Sequence, residues 1–63
     1  MLRPITIEVW QSKQFAWCAR VTSGLSSFER HPVVTCCARP DIAAAKLQAA
    51  LSFKSDATWD IVQ

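Results

Sequence analysis

The chain has 63 residues and a mass of 7.0 kDa, 51% of it hydrophobic and 19% charged, with a net charge of +2. That length allows one small domain with a thin core, burying about 60% of the surface its unfolded chain exposes. One Gly and three Pro exclude a low-complexity chain, and a pI near 8.6 falls short of a strongly basic nucleic-acid binder.

Ile5, Ile7 and Val9 alternate with Thr6, Glu8 and Trp10, the period of a half-buried strand. The polar stretch Gln11-Ser12-Lys13-Gln14 reads as a turn. Phe15, Trp17, Ala19 and Val21 then alternate with Ala16, Cys18, Arg20 and Thr22 as a second strand, and the two are expected to form a hairpin. Keeping both apolar rows on one face requires an odd-length loop, Ser12 to Gln14 or Trp10 to Gln14, since a one-residue slip would invert a strand. Phe15 and Trp17 are thereby expected in the core.

Ser23-Gly24-Leu25-Ser26-Ser27 ends the second strand, and Phe28-Glu29-Arg30-His31-Pro32 continues a long irregular connection. Val33-Val34-Thr35-Cys36-Cys37 is β-branched and apolar and predicts a third strand. Pro40 and Asp41 suit the first turn of a helix, and Ile42 to Leu51 has high helix propensity. Ala43, Ala44, Leu47, Ala50 and Leu51 fall on one face of it. Lys54-Ser55-Asp56 interrupts the pattern, and Thr58-Trp59-Asp60-Ile61-Val62 alternates as a final strand. The expected fold is α+β, in the order β-β-β-α-β, an antiparallel sheet with one helix on one face. A single domain spans residues 1–63.

One helix covers one sheet face, leaving the side of Thr6, Glu8, Cys18 and Arg20 open, with Trp10 adding an aromatic to it. Ile42, Ala49 and Phe53 form a second apolar stripe on the helix, which simply caps a small core or serves as an interface. Exposed strand edges are pairing templates, so a homodimer by sheet extension is a further expectation.

Candidate chemistry is sparse. Cys36 and Cys37 are adjacent on a strand, so their thiols point to opposite faces and do not converge on one zinc ion. Three cysteines, an odd number, fit buried free thiols in a reducing cytosol better than a disulfide framework. His31 stands in a loop with no orienting group evident, and the carboxylates Glu8, Glu29, Asp41, Asp56 and Asp60 are scattered. With Gly24 the lone glycine there is no phosphate-cradling loop. No enzyme, metal or cofactor is expected. No apolar run reaches a membrane-spanning length of about 18 residues, and Pro4, Thr6 and Glu8 break the N-terminal segment, so a cytoplasmic location is expected.

The segment Pro40-Asp41-Ile42-Ala43-Ala44-Ala45-Lys46-Leu47-Gln48-Ala49-Ala50-Leu51, following a hairpin and a short strand, resembles the helix of HicB-like antitoxin domains. Pro40, Asp41, Ala43, Ala50 and Leu51 match that family's pattern, Ile42 replaces its second acidic residue, and Ser23 to Pro32 stands where its Pro-Asp-Leu-Pro-Gly loop lies. The resemblance implies a β-β-β-α-β domain over nearly the whole chain that binds and inhibits a small toxin. In size and lack of catalytic equipment the chain also looks like small phage-encoded inhibitors, anti-CRISPR proteins among them, which occlude a host protein.

The leading expectation is a non-catalytic module that occludes a host or cognate protein, or a nucleoprotein complex, through Trp10, Arg20, Phe28, Glu29, Arg30, His31, Ile42 and Phe53. An aromatic anchor beside an arginine is the composition interface hot spots favour. The alternative is a small nucleic-acid-binding protein using Arg3, Lys13, Arg20 and Arg39.

Overall fold

The computed structural model describes residues 2–62. Its elements are β1 (Arg3–Gln11), β2 (Trp17–Ser23), β3 (Val33–Cys37), α1 (Pro40–Ala50) and β4 (Ser55–Val62), the expected β-β-β-α-β order. The four strands form one sheet in the order β3-β2-β1-β4, with α1 packed on one face. β2 is antiparallel to both β1 and β3, whereas β4 runs parallel to β1. The sheet is therefore mixed. Two reversals leave β3 running in the direction of β1, and α1 then carries the chain from one sheet edge to the other. A strand reached by such a crossover returns in its starting direction, so β4 lies parallel.

The hairpin keeps the predicted parity but shifts its register. Ile7 faces Val21, Val9 faces Ala19 and Gln11 faces Trp17, so the intervening loop is residues 12–16, odd in length and displaced towards β2. Phe15 consequently sits in the loop with φ +62° and 79% exposed, not in the core. The Ser12 N–H donates to the Ala16 carbonyl at 2.8 Å and the Phe15 N–H to the Ser12 carbonyl at 3.0 Å, closing the turn around it.

The core joins Ile5, Ile7 and Val9 of β1, Ala19 and Val21 of β2 and Cys37 of β3 to Ala43, Ala44 and Leu47 of α1. Ile7, Val9 and Leu47 are the largest fully buried side chains, each stabilising the fold by about 1.5–3 kcal/mol relative to exposure. Ala43 and Ala44 are also fully buried, and their small size brings the helix backbone close to the sheet. Ala50, expected on this face, is exposed at the helix end. No side chain caps the helix N-terminus; Pro40 and Asp41 occupy the first turn. Its stability thus rests on packing more than on capping.

A helix is about 10 Å across and strands lie about 4.8 Å apart, so one helix roofs only part of a four-stranded sheet. The shortfall falls at β4, where Trp59 and Ile61 share the face of Ile7 and Val9 yet are 43% and 47% exposed.

Candidate protein-binding site

The connection from β2 to β3 is anchored by Arg3. Gly24 begins it at φ +101°, and a Cβ there would stand 2.6 Å from the Pro4 carbonyl oxygen and 2.8 Å from Ile5 Cγ2. Only glycine lets the chain turn this close to β1. The Gly24 carbonyl accepts a hydrogen bond from Arg3 Nε at 3.0 Å. The same guanidinium meets the Glu29 carboxylate with both terminal nitrogens, Nη1 to Oε2 at 2.8 Å and Nη2 to Oε1. Glu29 Oε1 also accepts from the Ser26 N–H at 2.9 Å, and the Glu29 N–H donates to the Ser26 carbonyl at 3.2 Å. The hydrogen bonds from Arg3 and then from Ser26 lower the Glu29 pKa from 4.5 to about 2. The shared hydrogen bond with Glu29 is also the main reason the Arg3 pKa is raised.

Behind this pair, the Arg3 guanidinium carbon lies 4.4 Å from the Phe53 ring centre. A groove of about 700 Å³ runs between Phe28–Arg30 and Pro32 on one side and the segment after the helix, Ala50 to Phe53, on the other. Phe28 stands at its lip and is 97% exposed. Four of the sequence-derived site residues, Phe28, Glu29, Arg30 and Phe53, are thus brought together at one groove. His31 is exposed in the same connection but does not line it.

Trp10 and Arg20 form a separate group on the open sheet face. Arg20 pairs with Glu8 directly across the hairpin, Nη2 to Oε1 at 3.0 Å, and its guanidinium carbon lies 5.2 Å from the Trp10 ring. Cys18, expected to be open on that face opposite Trp10, is buried.

The proposed Ile42/Ala49/Phe53 stripe does not exist as a unit. The helix ends at Ala50, with the Leu51 N–H bonded to the Gln48 carbonyl at 3.2 Å. Phe53 therefore leaves the helix and packs against the core cluster under Arg3, while Ile42 remains 37% exposed in the first turn. Sequence periodicity missed Arg3 as the organiser of the groove, since nothing in the residues between links it to Glu29. It also missed the uncovered Trp59 and Ile61, for which the narrowness of one helix was the available signal.

The cysteines are free, Cys18 and Cys37 buried and Cys36 exposed. Among the described residues no group of three or more His, Cys, Asp or Glu side chains converges to hold a metal ion, and no helix is long and apolar enough to cross a membrane. Comparison with protein-family models, curated proteins and solved structures gave no match.

Proposed function

We propose that this chain is a non-catalytic protein-binding module that acts by occluding a partner protein, as antitoxins and small phage-encoded inhibitors do. The observation that carries the reading is Phe28, an almost fully exposed aromatic on a connection tied down by Arg3 and Glu29. An exposed aromatic costs nothing to the fold when removed and gains most when a partner's pocket desolvates it. Because its base is tethered, less chain freedom is lost on binding. Arg30 beside it supplies a charged rim, and the groove behind it receives an apolar side chain from the partner. A host or cognate protein in the cytoplasm is the partner class this implies.

Charge pairing argues for a protein partner over nucleic acid. Of the four cations that would have served a nucleic-acid surface, Arg3 is tied to Glu29, Arg20 to Glu8 and Arg39 to Asp41. Guanidinium groups already matched to carboxylates release few counterions from a phosphate backbone.

The test is a pair of tagged baits, wild type and Phe28→Ala, in lysate of the encoding organism with and without nuclease treatment, across a salt series. The expected result is one protein retained stoichiometrically at high salt by the wild type and lost from the variant, whose circular dichroism and Tm match the parent. Recovery that disappears with nuclease or moderate salt overturns the reading in favour of nucleic acid, and equal capture by both baits removes Phe28 from the interface.

A further inference from the structure

β4 is the outermost strand on its side of the sheet. The Arg3 N–H donates to the Lys54 carbonyl at 3.3 Å, and backbone groups alternate sides along a strand. The amides and carbonyls of Asp56, Thr58 and Asp60 therefore face β1, and those of Ala57, Trp59 and Ile61 face away from the sheet. The side chains of these same three residues lie on the helix side, where Trp59, whose Nε1 donates to Gln48 Oε1 at 3.3 Å, and Ile61 each stay nearly half exposed.

The two edges of the sheet differ in how they are protected. β3 is short, follows Pro32, and is distorted at Cys36, whose φ is +62°. β4 contains neither proline nor lysine, and its pairing with β1 runs without a bulge from Ser55 to Val62. Of the devices that normally prevent edge-to-edge association it has only the charges of Asp56 and Asp60.

We infer that β4 pairs antiparallel with β4 of a second copy, about a two-fold axis at Trp59. A second copy fits this edge in a register that the strand's own charges select. Apolar and polar rows stay matched only when odd-numbered residues meet odd-numbered ones, which leaves two registers that overlap along most of β4. Centred on Thr58, the pairing sets Asp56 against the partner's Asp60 at both ends, and like charges directly opposed are destabilising. Centred on Trp59, it sets Asp60 against Thr58, Asp56 against Val62 and Ala57 against Ile61, and like charges stand only diagonally, never directly opposed.

The assembly is closed, because a two-fold contact consumes the open edge of both copies. The result is a continuous eight-stranded sheet with the distorted β3 at each end. Both helices lie on the same face, flanking a trough floored by Trp59 and Ile61 from each chain.

Sedimentation equilibrium of the full chain, up to about 1 mM to capture a weak dimer, tests this together with Ile61→Lys, which places a charge within the contact, two residues from its axis. The wild type is expected at twice the 7.0 kDa chain mass. The variant is expected at the single-chain mass, with unchanged circular dichroism and a dimer Kd raised at least tenfold. A mixed sample of 13C-labelled and unlabelled wild type gives a readout independent of the variant's folding: an intermolecular NOE between the Ala57 and Ile61 methyl groups. A single-chain mass at every concentration, a folded Ile61→Lys dimer of unchanged affinity, or intermolecular NOEs confined to another surface overturns the inference.

Discussion

Arg3 at the start of β1 and Glu29 in the connection between β2 and β3 meet as a two-pronged ion pair, twenty-six residues apart in the chain. The pair is half-exposed, so its worth lies less in raw electrostatic stabilisation than in what it positions. On one side Arg3 holds the Gly24 carbonyl, and on the other it covers the Phe53 ring. The groove and its aromatic lip therefore share a single fastening.

That fastening has a pH signature. Glu29 binds its proton less tightly when folded, with a pKa near 2, than at its ordinary 4.5. Its contribution is complete above about pH 4.5 and is lost as pH falls through about 2, where the folded carboxylate protonates. In urea titrations at stepped pH, the stability gap between wild type and Glu29→Gln is expected to be constant from pH 7 to 5 and to close towards pH 2. A gap that does not change with pH would show that the carboxylate charge is not what secures the connection.

Gly24 is the second point at which the connection depends on one residue. A side chain at φ +101° is strained of itself, and its Cβ would also press on the Pro4 carbonyl oxygen and on Ile5. Both clashes fall on β1 at the edge of the core, where backbone has little room to give. Gly24→Ala is expected to cost about 2 kcal/mol or more and to lower Tm by roughly 10 °C for a domain this small. Differential scanning calorimetry decides it; a Tm within about 2 °C of wild type would mean that the connection relaxes away from β1.

Local periodicity carried the sequence reading a long way. β3 was legible to the residue from its β-branched run, α1 from its alanines behind Pro40, and β1 from its strict alternation. What failed was non-local. Phe15 continues the alternation of β2, so its apolar character suggested the core, but the turn closed by Ser12 and Ala16 needs a left-handed residue at that point. Ser55 and Asp56 looked like a break because they are polar, yet they pair with Arg3 and Pro4 as the start of β4. At the site, Phe28 was recognisable as an aromatic in a loop. Its grouping with Phe53 depends on where the helix stops and on Arg3, and neither is written in the spacing of apolar residues.

The contrast between Phe28 and Phe53 separates binding from stability. The sequence placed both among the candidate contact residues, Phe53 with the alternative of capping a small core. Phe28 touches almost nothing of the fold, whereas Phe53 packs on the core cluster and under the Arg3 guanidinium. Phe53→Ala removes that packing and a cation–π contact, at an expected cost of about 1–3 kcal/mol; Phe28→Ala should stay within about 0.5 kcal/mol of wild type. Loss of Phe53 also frees the guanidinium from one of its three restraints, so the groove should loosen before the sheet does. Hydrogen exchange is the discriminating measurement: in Phe53→Ala the Ser26 and Glu29 amides should lose protection by a larger factor than those of Ile7 and Val9. Equal loss at all four would make Phe53 an ordinary core residue with no special hold on the connection.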